Sequence, residues 1–586
     1  MKCSSKKKVI LIAIAFLCVI AATFLSTDNL INQNYSDDHR IVEFEESING
    51  LKVSGIYTNL TIDGLPGSLN NWAWAESQVW CSGSGSLLDP YIIEVQLLNM
   101  SMLADGLKIS NSHDKHFVIR NCTFTWDGVT NSILMTGIHL LNTTHGLIED
   151  NLIYHLGYGI LLEDCESVKI TGNTIYDHVE GITLDNVNNS RLINNNCSDM
   201  DYGIYLKSGS MNNTISGNTA NNNGDYGIYI YQFSNYNTIS NNIANGNEYS
   251  GISLEYECYY NTVSGNIVNN TTGSGIYVYD SCGYNTFSNN IVNNNTEVGI
   301  SLHWYSSNNT IIDNIANYNA DIGIELYDYC ENNAVSKNIL SYNGLNGIGI
   351  YDFSDSNTIT YNLLYNNTIG FYIDDGNNNT IYRNIFSKNG EHAIDNGIDN
   401  AWNSTIVGNY WDNHTGLDFS PVDGIVDNPY TYIGGSPGNV DYLPLAEDGA
   451  PVITIQSPKE DGRYGDTAPT FSIIASDVYV VSMWYTLDDG LHNYTFTGLA
   501  GTFSQSAWDN ISDGAITITF YAVDIAGNIG TAEVTIGKNL PEKFDPTLVI
   551  VIVIGSIALL GVILVILVKK DIISIEKIKG LSLKRK

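Results

Sequence analysis

GIYIYQFSNYNTISNN, Gly227 to Asn242, returns with small edits at Gly251 (GISLEYECYYNTVSGN), Gly275 (GIYVYDSCGYNTFSNN), Gly299 (GISLHWYSSNNTIIDN), Gly323 (GIELYDYCENNAVSKN) and Gly347 (GIGIYDFSDSNTITYN), at steps of 24 residues. Tighter copies begin at Gly137, Gly159, Gly181 and Gly203, close to 22 residues apart, and a 23-residue step leads on to Gly370. A period in this range that carries no helical pattern predicts a stacked β-solenoid. Within a copy the residues alternate: Ile276 and Val278 point one way, Tyr277 and Tyr279 the other, which describes a half-buried strand. A second short strand carries Thr286 and Phe287, a third Ile291 and Val292, and Asn, Gly and Ser between them favour turns. Three short strands per turn predict a parallel β-helix.

One column stands out. Asn151, Asn173, Asn195, Asn218, Asn242, Asn266, Asn290, Asn314, Asn338, Asn362, Asn384 and Asn409 occur once per turn. Stacked coils lie about 4.8 Å apart, so equivalent amides can hydrogen-bond up and down a ladder, as identical side chains do in cross-β stacks. The alternative is a row of ligand-binding amides. An Asn away from this column, such as Asn247, is expected to be exposed.

The outward side of the first strand supplies the candidate ligand face. Tyr205, Tyr229 and Tyr277 stand two residues after their Gly, and Tyr231, Tyr279, Tyr327 and Tyr351 stand four after. Five after the Gly come Asp328, Asp352 and Asp375 on consecutive coils, with Asp280 two coils earlier. Tyrosine rings can stack on sugar faces, and stacked carboxylates suit a hard cation, calcium being the candidate. The bland reading is solvated turn aspartates beside tyrosines that cover the sheet. No cofactor is required by either.

The 586 residues are 43% hydrophobic, which describes folded protein rather than a disordered Asn-rich chain. The formal charge of −36 excludes a nucleic-acid partner, because such a surface repels phosphate backbones. Lys2, Lys6, Lys7 and Lys8 precede an apolar run from Val9 to Leu25, read as a signal peptide or N-terminal anchor. Leu548 to Val568 is 21 residues without a charge, read as a membrane span with a basic cytoplasmic tail behind it. These readings place the bulk of the chain outside the cell, held at the cell membrane by a single pass. Of nine cysteines, Cys258, Cys282 and Cys330 share one slot; Cys258 and Cys282 fall within disulfide range, and small buried thiols are the other reading. Sequons at Asn121, Asn142, Asn212, Asn308, Asn403, Asn493 and Asn510 offer glycan acceptors.

Before the first regular coil lies NNWAWAESQVWCSGSGSLLDPYIIEVQLL from Asn70, a cap over the open end of the core, with sugar-stacking tryptophans as the alternative. Past the last coil come VGNYWDNHTGLDFSPVDGIVDNPYTYIGG (Val407 to Gly435) and DYLPL (Asp441 to Leu445). With the GNYWD, D-G-I-x-D-x-P-Y and YLPL segments, the repeats resemble the NosD-like right-handed parallel β-helix proteins and the carbohydrate-binding and sugar-hydrolase repeats of the same fold. From Pro451 to Gly537 even, short strands, with FYAVDIAGNIG the most recognisable, resemble the immunoglobulin-like modules beside the membrane in prokaryotic surface proteins, archaeal ones included. The expected organisation is an all-β chain: export segment 1–27, N-terminal cap 28–90, β-helix 91–410, C-terminal cap 411–449, Ig-like β-sandwich 450–538, linker 539–547, transmembrane helix 548–568 and tail 569–586.

Catalytic signals are sparse. Between Gly137 and Asn409 the only bases are Lys169, Arg191, Lys207, Lys337, Arg383 and Lys388; Asp374-Asp375 is the one carboxylate pair on the regular coils. The GHG and RIK signatures of pectin-hydrolysing relatives are absent. The NosD-like resemblance implies a role in copper supply, but His113, His116, His139, His145, His155, His178 and His303 are scattered and no Met-rich stretch exists. The sequence therefore points to a surface protein that binds glycans or serves in adhesion and envelope structure, with a polysaccharide lyase or hydrolase, and then a copper-handling protein, as alternatives.

Overall fold

A computed structural model describes residues 59–539, apart from 96–97, 100–104, 127–134, 415, 419–423, 447–449, 477–479, 489 and 525–527. The expected export segment, the apolar span at 548–568 and the basic tail lie outside the described residues.

A typical coil shows why three faces form. Ser274–Tyr279 pairs in parallel with Ser250–Glu255 on one side, and its middle residues pair with Ile300–His303 on the other. Thr286–Ser288 does the same with Thr262–Ser264 and Thr310–Ile312. On the third face a single residue, Ile291, bridges Ile267 and Ile315. Registers are in step, so equivalent side chains stack: Ile228, Ile252, Ile276, Ile300, Ile324 and Ile348 form one wholly buried column. Each such side chain contributes about 1.5–3 kcal/mol through burial. The parallel pairing already begins at Leu60–Asp63 against Leu107–Ser110. Over the N-terminal end a short helix, Trp72–Glu76, lays Trp72 flat on Tyr91 with ring centroids 4.5 Å apart.

The asparagine column is buried throughout and hydrogen-bonds from coil to coil. Asn290 is representative. Its Oδ1 accepts from the backbone N and Nδ2 of Asn266, both at 3.0 Å. Its Nδ2 donates to Asn314 Oδ1 and to the Val263 carbonyl, each at 2.9 Å. The ladder ends at Asn409, whose N donates to the buried Asp441 at 2.7 Å; Trp411 Nε1 donates to the same carboxylate at 3.0 Å. Trp411 in turn stacks between Phe386 and Tyr430, closing the C-terminal end with aromatic rings.

Two further ladders escaped the sequence reading. One runs from Asn213 through Asn237, Asn261, Asn285, Asn309 and Asn333 to Asn357 and Asn379. The other links Asn223 to Asn247 and, beyond a break, Asn295, Asn319, Asn343, Asn367 and Asn389. Asn247, expected to be exposed, is therefore wholly buried. The glycine that opens each coil has a steric reason in the carbonyl of the next coil, to which the third ladder adds where it is present: a Cβ on Gly299 would lie 2.6 Å from the Gly323 carbonyl oxygen and 2.8 Å from Asn319 Nδ2. The break falls at Thr271, where the ladder's Asn is missing; Asn247 Nδ2 and Thr271 Oγ1 are both buried without a partner in the chain.

The described cysteines are free and buried. Cys258 N donates to Cys282 Sγ at 3.3 Å, Cys282 N to Ser306 Oγ at 3.3 Å, and Cys330 N to Ser354 Oγ at 3.1 Å. Sulfur and hydroxyl are interchangeable acceptors in this slot, and burial pushes the Cys330 thiol up to about 12.

The expected fold class needs correction after the solenoid. The all-β parallel β-helix stands, but no immunoglobulin-like sandwich follows it, and the membrane helix expected at 548–568 falls outside the described residues. Among the described residues no helix is long and apolar enough to cross a membrane. Residues 452–538 form a three-stranded antiparallel sheet (Val452–Ser457, Thr470–Ser476, Ala500–Thr502) and a five-stranded mixed sheet, in which Arg463–Tyr464 runs parallel to Gly537–Lys538. A helix, Gln505–Asn510, interrupts the strand run and buries Trp508. Alternation located these strands; it could not reveal a parallel edge, which leaves the apolar period unchanged, and the 6-residue helix is too short to show a period of its own.

Replacing Thr271 with Asn should restore the third ladder and raise the unfolding free energy by about 1–3 kcal/mol, the cost of a buried unpaired polar group. Asn290→Ala should act oppositely and more strongly, since it orphans groups on both neighbouring coils. Thermal or denaturant unfolding reads both, and equal midpoints for the two variants and wild type would remove the ladder from the account of stability.

Candidate ligand-binding face

The outward side of the first face is organised by register. Two residues after each Gly, the stack reads Tyr205, Tyr229, Ser253, Tyr277, Ser301, Glu325, Gly349 and Tyr372. Four after, the sequence order gives Lys207, Tyr231, Glu255, Tyr279, His303, Tyr327, Tyr351 and Asp374. The seven tyrosines singled out from sequence thus lie on one face, but they are not equally presented. Tyr229 is buried, stacked on Tyr226 at 4.3 Å and on Tyr205 at 4.9 Å. Tyr231, Tyr277, Tyr279, Tyr327 and Tyr351 are half-buried. Sequence reasoning missed the aromatics that extend the strip, Tyr226, Tyr249, Tyr256 and Trp304; Trp304 stacks on Tyr279 at 5.6 Å and is 45% exposed.

It also missed the two carboxylates that tie the strip together. Glu255 is buried and accepts from Tyr226 Oη (3.1 Å), Tyr229 Oη (3.0 Å) and Ser253 Oγ (2.8 Å). Glu325 Oε2 accepts from Ser301 Oγ at 2.8 Å and stands 3.0 Å from His303 Nε2. Aligning the copies by their Gly places Ser253, Glu255, Ser301, His303 and Glu325 in the tyrosine columns, so the signal for them was present once register was used column by column. Burial, and next the Glu255 carboxylate, push the phenols of Tyr226 and Tyr229 far above the ordinary value of 10. Tyr277 and Tyr351 are raised chiefly by burial. Tyr327 is raised first by its hydrogen bond to Asp352.

Asp328, Asp352 and Asp375 occupy left-handed turn positions, φ 63°, 44° and 57°, at the end of the first-face strand. Asp tolerates that conformation better than most residues, which gives the column a backbone role. Tyr256 and Trp304 fill the same position on earlier coils, at φ 61° and 47°. Among the described residues no three His, Cys, Asp or Glu side chains gather in a way that could hold a metal ion. The histidines are indeed dispersed: His139 lies between Asp105 and Glu163, while His178 sits against the Leu156 and Ile153 carbonyls and is pushed down to about 4 by burial.

Two cavities of about 330 Å³ lie elsewhere. One is lined by His155, Asp177, His178, Asp199 and Asp201. The other, on the last coil, is lined by Lys388, Glu391, His392, Asp412, Tyr430 and Tyr432; there the buried His392 meets Asp412 at 2.9 Å.

The fold and this face define an aromatic-lined right-handed parallel β-helix. Residues 78–243 and 158–316 match the family described as "Right handed beta helix region", and residues 281–416 the one described as "Periplasmic copper-binding protein (NosD)". The chain is a NosD-like parallel β-helix repeat protein. No curated protein sequence matches it. Among solved structures, the periplasmic alginate epimerase AlgG is similar at 14% identity over 58% of this chain and 82% of its own, with a TM-score of 0.32. The A-module of the Azotobacter vinelandii mannuronan C-5 epimerase AlgE6 gives 13%, 52%, 89% and 0.30. DFA-IIIase from Arthrobacter chlorophenolicus A6 gives 13%, 46%, 81% and 0.31. No chemistry transfers at this level of likeness.

The raised phenols carry a sign. In the unfolded chain they ionise as pH passes about 10, whereas the folded face holds them protonated. The unfolded state then binds fewer protons, so stability is fully present below pH 10 and is lost as pH rises from there toward the folded values. Tyr229→Phe should flatten this loss, and spectrophotometric phenol titration alongside melting curves checks it. A phenolate signal from the native face near pH 10 would contradict the packing described.

Proposed function

We propose that this protein is an exported β-helix scaffold that binds glycans along its tyrosine face. One observation carries the reading: aromatic side chains recur at successive coils, interleaved with carboxylates whose orientation is fixed by hydroxyl donors. The partly exposed rings at this spacing, Trp304 foremost, offer apolar surface to a sugar polymer, and oriented carboxylates accept its hydroxyls. The lysines and apolar run at the N-terminus support export.

A second reading, a polysaccharide lyase or hydrolase, draws on the Ser301–Glu325–His303 constellation, a carboxylate oriented beside an imidazole on an outward face. General acid-base work needs such groups within reach of a scissile bond.

A glycan array followed by calorimetry on the full-length protein tests binding. Tyr279→Ala together with Trp304→Ala should weaken binding about 2- to 12-fold for each ring lost, from roughly 0.5–1.5 kcal/mol per aromatic contact, without shifting the melting temperature of the buried ladders. Prolonged incubation of bound glycans distinguishes the second reading by the appearance of shorter products. Blank arrays, or full affinity in the double variant, would sink the proposal.

A further inference from the structure

The inference rests on the glycan-binding reading and narrows it to a class of sugar. Around Glu325 the outward column loses its bulk: Ser301 precedes it and Gly349 follows. Tyr351 folds over Gly349, where a Cβ would lie 2.5 Å from its ring, and Asn346 Nδ2 donates to its hydroxyl at 2.7 Å. His303 packs against Tyr277 at 5.3 Å and Tyr327 at 4.9 Å. Glu325 thus sits in a notch walled by aromatic rings, its side chain 14% exposed. Both of its protein contacts fall on Oε2. Among the described residues no donor reaches Oε1, which is left to accept from a ligand.

The charge around the notch has one sign. Between Asp201 and Asp375 the only lysines or arginines are Lys207 and Lys337. Lys207 lies against Asp185 and the Tyr205 ring, at 3.8 and 5.1 Å. Lys337 follows the second-face strand Ala334–Ser336, away from the tyrosines. On the strip itself and its bounding turn stand Glu255, Asp280, Glu325, Asp328, Asp352 and Asp374. A uronate laid on this face would meet a row of carboxylates, beside which stand only Lys207, already against Asp185, and His303, already against Glu325. An ammonium would meet a carboxylate oxygen and aromatic faces together, which favours it through a charged hydrogen bond and cation–π attraction.

We propose that the Glu325 notch is a subsite for an amino sugar with a free ammonium group, and that the tyrosine face takes amino-sugar polymers and rejects polyuronates. Glu325 is the specificity-determining residue, receiving the ammonium on Oε1 while Ser301 and His303 hold Oε2.

Calorimetry on the full-length protein compares three probes of equal length: a β-1,4-linked glucosamine oligomer, its fully N-acetylated counterpart and an oligoguluronate. The glucosamine oligomer should bind about tenfold or more tighter than the acetylated one, as a charged hydrogen bond implies, and added salt should narrow that gap. The oligoguluronate should not bind. Glu325→Gln should bring the glucosamine oligomer to the affinity of the acetylated form. Should that variant fold poorly, the comparison of free and acetylated probes on the wild-type chain decides alone, since acetylation removes the charge without touching the protein. Equal affinity for both, or uronate binding, overturns this inference while leaving the glycan reading intact; no binding to any glycan removes both.

Discussion

The side-chain amide of an asparagine, donating upward and accepting from below, is the interaction on which this architecture rests. A parallel coil is joined to the next by slanted backbone bonds, which thin to isolated ones at the corners, such as Ser281 N to the Trp304 carbonyl and Asn289 N to the Ile312 carbonyl. Asn290 shows how the corner is secured: every donor and acceptor of its amide is used, on two coils at once. Three such columns run through the solenoid, at three places in the coil, so that the interior is polar at its corners and aliphatic between them. The glycine at the head of each coil follows from the close stacking, because the next coil's carbonyl, and from Gly275 to Gly370 the third column's amide as well, occupies the space a Cβ would need.

A stack held from inside leaves its outward positions free to vary. The first face uses that freedom for tyrosines, a tryptophan, and carboxylates anchored by hydroxyls. Proximity at the coil spacing does two things there. It buries part of each ring against the next, which raises the phenols, and it concentrates acidic groups on a surface with almost no bases. Those consequences of stacking distinguish this face from a surface where tyrosines are merely frequent.

The ends follow the same logic in reverse. A solenoid exposes its last coil unless something covers it. At one end Trp72 lies on Tyr91, and at the other Trp411 lies between Phe386 and Tyr430 while Asp441 receives the last rung of the ladder. A carboxylate is suited to that place because the final Asn offers donors and no further amide follows. Burial holds the Asp441 carboxyl above its ordinary range despite these donors.

The sequence by itself determined the coil: its period, its three faces, the inward aliphatic columns, the principal asparagine ladder as a column, and the outward tyrosines. All of these repeat at fixed spacing, and a repeat can be read without knowing what it touches. Tertiary structure alone decided what happens between columns. That Glu255 is gripped by Tyr226 and Tyr229 from a neighbouring coil, that Glu325 reaches both Ser301 and His303, and that Asn247 is buried beside a gap at Thr271 are matters of which side chain leans toward which across coils. The same limit applied after residue 450, where alternation found strands but not their partners: pairing direction is set by the path of the chain through space, and a parallel edge leaves no mark on the spacing of apolar residues.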